Sequence, residues 1–277
     1  MSGTLYLCAT PIGNLGDISR RALEVLETAD LVAAEDTRRT VQLLNHFGIS
    51  KPLTSYHEHN KREKGEYIVS LLAEGKNVCL VSDAGTPAIS DPGEDLVRLC
   101  IAQGLCVTSI PGPVAAINAL ILSGLSTKRF SFEGFLSVNK RHRKEHLESV
   151  RNDLHTLIFY EAPHKLKYTL ADMCGAFGPE RRIALVRELT KIHEEVLRMT
   201  LAEAMTYYQD TAPRGEYVII VEGVQEKTEE EHWWDGLSIA EHVDSYVKRG
   251  ISSKEAVKEA AKDRGLPKRD VYHEYHA

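Results

Sequence analysis

Short apolar runs alternate with helical stripes along the first part of the chain. Leu5-Tyr6-Leu7-Cys8-Ala9, Leu31-Val32-Ala33-Ala34, Val78-Cys79-Leu80-Val81 and Val107-Thr108-Ser109-Ile110 are short and largely apolar. That is the pattern of a strand buried on both faces. It predicts strands over 4–9, 30–35, 77–82 and 106–110. Helical patterns between and after them predict helices over 18–28, 37–47, 60–74, 94–103 and 114–123. Gly48 closes the second of these. Strand and helix alternate, which is the βαβ order of a mainly parallel sheet. After Gly124 the pattern changes. Strands 130–135, 156–161, 181–189, 193–200 and 216–222 interleave with helices 139–153, 163–175 and 201–209. Only a few residues separate 181–189 from 193–200, so that pair predicts an antiparallel hairpin. The fold class expected is α/β, with two α/β domains over 1–124 and 125–224. An acidic linker over 225–236 follows, carrying Glu226, Glu229, Glu230, Glu231 and Asp235. A small helical appendage over 237–277 ends the chain.

Three of the predicted strands end in Pro/Gly loops. Val81 runs into Ser82-Asp83-Ala84-Gly85-Thr86-Pro87 and on to Pro92-Gly93. Ala9 runs into Thr10-Pro11-Ile12-Gly13-Asn14, and Ile110 into Pro111-Gly112-Pro113. Ala84 and Gly85 let backbone N–H groups approach a ligand closely. Pro87 and Pro92 stiffen their loop, so less entropy is lost on binding. Any one loop is an ordinary strand-to-helix connection. Three together predict a shared ligand crevice at the carboxyl edge of a sheet.

Composition narrows the class of partner. The 277 residues carry a net charge of −6, so nucleic-acid contact must come from local patches. The longest apolar run, about Val114–Leu122, is too short to span a bilayer. No signal peptide is visible, and no membrane association is expected. The five cysteines are odd in number and scattered, which suits reduced, buried side chains. The chain lacks Gly-x-Gly-x-x-Gly, a Walker loop, a nucleophile-elbow serine, a Cys-x-x-Cys pair and His-Glu-x-x-His. His57-Glu58-His59 diverge on a strand and read as a polar loop, so no metal site is expected.

Charged segments admit two readings each. Asp36 or Thr37 caps helix 37–47, or else Glu35, Asp36 and Arg38 belong to the ligand edge. Lys140, Arg141, Arg143 and Lys144 form the most basic segment, either a solvated helix start or a phosphate-seeking loop. Arg187-Glu188-Leu189-Thr190-Lys191 and Arg214-Gly215-Glu216 sit at strand ends, where acid–base groups and plain surface turns look alike. In the tail, Ser252 or Ser253 starts a helix that Gly265 ends. Pro267 opens another with Lys268 and Arg269, the layout of a helix-turn-helix.

These segments together resemble one family. Thr10-Pro11-Ile12-Gly13-Asn14-Leu15, Ala34-Glu35-Asp36-Thr37-Arg38, Ser82-Asp83-Ala84-Gly85-Thr86-Pro87, Pro111-Gly112-Pro113, Phe159-Tyr160-Glu161, Arg187-Glu188-Leu189-Thr190-Lys191 and Gly215-Glu216 occur in the family's order and spacing. The chain resembles the tetrapyrrole methylases (class III methyltransferases), and within them the branch that methylates small-subunit ribosomal RNA. The likeness covers roughly residues 4–223. Asp83-Ala84-Gly85-Thr86 replaces the Gly-Asp-Pro motif of the porphyrinoid branch, which favours the RNA branch.

The resemblance implies S-adenosylmethionine as donor, folded in the cleft between the two domains. It implies 2′-O-methylation of a cytidine in 16S rRNA of the small ribosomal subunit, by a homodimer in the cytoplasm. Carried over onto this chain, the donor contacts are Pro11, Asp83, Ala84, Gly85, Thr86, Ala115, Ala116, Tyr160 and Glu161. Ala184, Leu185 and Gly215 complete the adenine pocket. The resemblance names no base; the candidates here are Glu188, Lys191 and Asp36. Arg38, Lys140, Arg141, Arg143, Lys144, Lys268 and Arg269 are the candidate RNA contacts. Two alternatives remain at this point: a methylase of a cyclic tetrapyrrole, and a donor-binding regulatory protein without catalysis.

Overall fold

In the first half, each apolar run becomes a strand and each stripe a covering helix. The order is β1 (Thr4–Cys8), α1 (Arg20–Thr28), β2 (Leu31–Ala34), α2 (Thr37–His46), β3 (Leu53–Ser55), α3 (Lys61–Ala73), β4 (Val78–Val81), α4 (Gly93–Ala102), β5 (Cys106–Ile110) and α5 (Ala115–Ser123). Strand order is β3-β2-β4-β1-β5, every pair parallel. The pattern missed β3, a strand of three residues whose apolar content is a single leucine. Its place comes from pairing with β2, Leu53 opposite Val32.

The second half gives β6 (Phe130–Phe135), α6 (Lys140–Ser149), β7 (Thr156–Glu161), α7 (Pro163–Phe177), β8 (Arg182–Arg187), β9 (Glu195–Thr200), α8 (Leu201–Asp210) and β10 (Tyr217–Val221). Its sheet order is β6-β7-β10-β8-β9. β6 runs parallel to β7, and the remaining pairs are antiparallel. The expected hairpin is the β8–β9 pair, in unbroken register from Arg182 opposite Thr200 to Arg187 opposite Glu195.

This computed structural model describes residues 2–224 and 233–276. Most of the acidic linker, including Glu226, Glu229, Glu230 and Glu231, lies outside the described residues. The chain divides into two compact units, Met1–Gln225 and Glu226–Ala277. The second unit holds α9 (Ile239–Lys248), α10 (Ser253–Asp263) and α11 (Lys268–Tyr275). They enclose a small core of Val243, Ala256, Val257, Ala260 and Val271. Ser238 and Glu241 form a capping box at the start of α9. Gly265 and Pro267 separate α10 from α11.

Both sheets are buried on both faces, so alternate residues of a strand enter different cores. In the first sheet Leu31, Ala33, Val78 and Leu80 pack with Ile68 and Leu72 of α3 and Leu96 of α4. Val32, Ala34, Cys79 and Val81 pack instead with Leu26 of α1 and Leu44 of α2. In the second sheet Leu157, Phe159, Leu185 and Ile219 face Leu147, Leu166, Leu170 and Leu201 of the helices α6, α7 and α8. Ile158, Ala184, Val186 and Val218 face Ala116, Ala119 and Leu120 of α5. The last helix of the first half thus covers the open face of the second sheet. Cys106 departs from the expectation of buried cysteines. It opens the edge strand β5 and is exposed, whereas Cys8, Cys79 and Cys100 are buried.

Leu120→Ala tests the role of α5 as that cover. The side chain is 2% exposed. Its removal is expected to lower the free energy of unfolding in urea by about 2–5 kcal/mol. A loss well under about 1 kcal/mol would show that α5 is not part of this core.

Candidate active site

The carboxyl ends of the parallel strands point the same way, so their loops meet. Thr10 and Gly85 form a two-bond bridge: the Thr10 N–H donates to the Gly85 carbonyl at 2.9 Å, and the Gly85 N–H to the Thr10 carbonyl at 3.1 Å. Gly85 has φ of +80°, and a Cβ there would lie 3.2 Å from Ile12 Cγ2. The Thr86 hydroxyl donates to the Pro113 carbonyl at 3.1 Å, which ties in the third loop. Ala88 and Ser90 hold φ values of +68° and +64°, unusual for residues with a Cβ. Asp91 Oδ1 ties the two ends of this turn, accepting from the Ala88 N–H at 3.0 Å and the Gly93 N–H at 2.8 Å.

Behind these loops lies a cavity of about 520 Å³. Its first wall is Ser82 to Thr86 with Val114 and Ala115. Its second wall comes from β7, β8 and β10, with Tyr160, Glu161, Val186, Tyr217 and Val218. Tyr160 joins the walls, because its hydroxyl accepts the Ala116 N–H at 3.1 Å. Phe132 and Phe135 brace the ring edge-on at 5.0 and 5.4 Å between centroids. Burial pushes the Tyr160 phenol above its ordinary value. The Glu161 carboxylate is 3% exposed and fully engaged, by the Ala162 N–H at 2.9 Å and the Thr169 hydroxyl at 2.5 Å.

The expected donor contacts divide accordingly. Asp83, Ala84, Gly85, Thr86, Ala115, Tyr160 and Glu161 line this cavity. Ala116 stands just behind, through its N–H. Ala184 and Leu185 are wholly buried and do not line it. Adjacent strand residues face opposite ways, so both could not enter one pocket; Leu185 points into the core under α7. Val186, nearer the strand end, lines the cavity in their place. Gly215 has φ of +75°, and a Cβ there would meet the Glu188 side chain at 2.4 Å. Its smallness makes room for Glu188. Pro11 lines a neighbouring cavity of about 370 Å³ between the β1 loop and α2, with Gly13, Gln42 and His46. Arg39, Ser82 and Asp83 border both cavities.

The three candidate bases are all engaged. Asp36 caps α2 through the Arg38 N–H at 2.9 Å, and the Arg38 guanidinium grips both its oxygens at 3.1 and 2.8 Å. These bonds hold its carboxyl down at about 2. Of the two roles weighed for Asp36, the structure shows the cap, and Asp36 lines neither cavity. Lys191 Nζ lies 2.9 Å from Glu188 Oε1 and 2.8 Å from Glu216 Oε2. Burial pushes the Lys191 ammonium down, but Glu216 and Glu188 outweigh it and the net shift is upward. Burial likewise pushes Glu188 up, and bonds from Lys191 and the Glu216 N–H leave it lowered overall. Glu188 and Thr190 hold φ of +51° and +66° to make this cluster. The upward shift favours the ammonium, and Lys191 stands here as a cation held between Glu188 and Glu216.

The cationic residues also separate. Lys140, Arg141 and Lys144 are exposed at the start of α6, where Asn139 accepts the Arg141 N–H at 2.9 Å. Arg141 pairs with Glu145 at 2.7 Å on the helix surface. Arg143 does not join them. Its guanidinium lies 2.7 Å from Asp172 of α7, both side chains largely buried, and it bonds the Ser137 carbonyl at 3.2 Å. The basic segment is the start of the predicted helix, and Arg143 is its pin. Lys268 and Arg269 are exposed at the first turn of α11 in the second unit. Among the described residues, no three His, Cys, Asp or Glu side chains group as metal ligands. No helix among them is long and apolar enough to cross a membrane.

Sequence reasoning overlooked Arg39, Val186 and Leu189 as cavity residues. Strand parity could have exposed Val186. Arg39 and Leu189 enter only through how α2 and the turn after β8 are placed.

A cavity between strand-end loops and a second, mixed sheet is the setting in which comparison becomes informative. The tetrapyrrole (corrin/porphyrin) methylase family model matches residues 4–205. Ribosomal RNA small subunit methyltransferase I of Halalkalibacterium halodurans is 53% identical over 99% of this chain and 95% of its own. The protein of that name from Bacillus subtilis is 48% identical over 99% and 94%. The crystal structure of uroporphyrin-III-C-methyltransferase from Thermus thermophilus superposes with a TM-score of 0.56 at 20% identity, covering 79% of this chain and 94% of that one. That last likeness carries the fold, and the closer relatives carry the branch: the chain belongs to the tetrapyrrole methylase family and, within it, to the ribosomal RNA small subunit methyltransferase I family.

Proposed function

We propose that this methyltransferase uses S-adenosylmethionine to methylate the ribose 2′-oxygen of a cytidine in 16S rRNA of the small ribosomal subunit. The observation that carries the reading is near full-length identity to relatives bearing the name ribosomal RNA small subunit methyltransferase I. The donor is held between an N-terminal domain, 1–124, and a second domain, 125–224. A homodimer working in the cytoplasm completes the reading.

The residues present fit such a donor. A cavity of about 520 Å³ falls within the size range of small-molecule sites. Val114, Val186, Leu189 and Val218 offer apolar contact for a purine, while Ser82, Thr86 and Asp83 offer polar groups for ribose and amino-acid ends. Gly85 and Ala115 keep the backbone close. When bound, the donor supplies a methyl group on a sulfonium sulfur, open to attack by an oxygen. The protein's part is to hold donor and acceptor in line and to exclude water from their contact. The pinned loops and the braced Tyr160 give that rigidity before any ligand arrives.

RNA binding is assigned to Lys140, Arg141 and Lys144 as phosphate contacts. They are charged and exposed, without the fixed geometry that reads bases. Arg38, Lys268 and Arg269 are further cations of this reading.

Small subunits lacking the modification should accept a labelled methyl group, and digestion of the RNA to nucleosides should yield 2′-O-methylcytidine. Label on a base, or none on RNA, contradicts the reading. Ala115→Leu fills the donor cavity and should weaken S-adenosylmethionine binding at least about tenfold by calorimetry, near 1.4 kcal/mol. Unchanged affinity would move the donor elsewhere. Replacing Lys140, Arg141 and Lys144 together by alanine should lower the salt slope of RNA binding by roughly two to three units and leave donor affinity intact. Arg143→Ala should instead lower the melting temperature, because it strands the buried Asp172 carboxylate. The reverse pattern would make Arg143 the phosphate contact.

A further inference from the structure

We infer that Glu35 accepts the proton of the acceptor hydroxyl, at the junction of the two cavities. The inference rests on the reaction proposed above. Donor and acceptor must touch, and the two cavities share Arg39, Ser82 and Asp83. The larger cavity suits the donor. The smaller, bordered by Gln42 and His46, is open to a polar acceptor such as a ribose. The reacting atoms therefore meet near the shared residues. Glu35 lines the larger cavity beside them, at the carboxyl end of β2.

The other acids near that junction each hold at least one hydrogen bond. Asp83 Oδ1 accepts the Asp36 N–H at 3.0 Å, and Oδ2 accepts from Arg39 at 3.1 Å. Asp36 is gripped by Arg38, and Asp91 Oδ1 holds the backbone of its own loop. Glu35 makes no hydrogen bond among the described residues, so its lone pairs are free. It is also solvent-exposed, which leaves a path for the proton to depart.

The charged groups facing Glu35 come from three elements. Partial burial against the cavity wall first, then Asp83 and Asp91 of the β4–α4 loop, push its carboxyl upward, although the residue keeps an open side to solvent. Arg39 of α2 and His57 beyond β3 pull it down by less. A raised carboxyl is a stronger base once ionised.

The step balances. The acceptor oxygen forms its bond to the methyl carbon with a lone pair, and its O–H pair stays on oxygen. The C–S pair leaves with the sulfur, which becomes a neutral thioether. The proton passes to Glu35, which becomes a neutral acid and later releases it to water. One positive and one negative charge disappear together, so the site needs no further counter-ion.

Glu35→Gln is the test, with single-turnover methyl transfer to unmodified small subunits, calorimetry with S-adenosylmethionine, and thermal melting. The variant should lose about 100-fold or more in rate while donor affinity stays within about threefold. The wild-type rate should fall as pH drops through the Glu35 pKa, and the residual rate of the variant should be flat there. A carboxyl raised by folding contributes stability at low pH that is lost as pH rises through its folded pKa. Glu35→Gln should therefore melt at or above the wild-type temperature near neutral pH, with the difference closing in acid. A variant keeping more than about a third of the wild-type rate overturns the proposal. So does one that melts several degrees lower and loses donor binding, since Glu35 would then be structural. Wild-type protein that labels no small-subunit RNA overturns the underlying reading, whereas an active wild type with an equally active variant overturns only the role of Glu35.

Discussion

Parallel pairing of β1, β2, β4 and β5 governs what the first half can do. Parallel strands need crossover helices, and every crossover returns the chain to the same starting edge. All the carboxyl ends therefore gather at the opposite edge. The loop after β1, the cap of α2, the strained turn after β4 and the Pro-Gly turn after β5 become neighbours for that reason alone. The Thr10–Gly85 bridge and the Thr86–Pro113 bond then fix loops that lie far apart in the chain.

The second sheet completes the cavity through α5. That helix begins at the ligand edge with Ala115 and buries Ala119 and Leu120 on β7, β8 and β10. One short helix thus both lines the cavity and packs on the second sheet. The Ala116–Tyr160 bond ties its first turn to β7. A larger side chain at Ala115 would fill part of the cavity that this residue lines.

Charge is distributed in two clusters with different characters. Glu188, Lys191 and Glu216 form a closed set in which every charge has a partner, and Gly215 and Gly13 give it room. Such a set positions and rigidifies. Around Glu35, Asp83 and Asp91 the acids outnumber the cations, and Glu35 is left without a hydrogen bond. An unbalanced cluster beside a cavity is where proton transfer can be driven. The contrast explains why charged residues at strand ends could not be ranked from their spelling.

Much of the fold was legible in the chain. Buried strands such as Val78–Val81 are continuous apolar runs, and the helices between them carry stripes, because local burial writes itself into local pattern. β3 was not legible, since three residues hold too little pattern and its pairing with β2 is a long-range event. That Gly85, Ala115 and Tyr160 would come to one cavity was readable, because small or turn-forming residues at strand ends let loops meet there. Leu185 and Gly215 lie off the cavity lining, because facing depends on strand parity and on which helix covers each side. Arg143 reads in sequence as one more cation, and only its approach to Asp172, 29 residues away, makes it a pin. The same holds for Glu35. Sequence alone determined that it follows a buried strand, but partners decide whether a carboxylate is tied or free, and those partners are brought together only by the packing of α2 against the loop after β4.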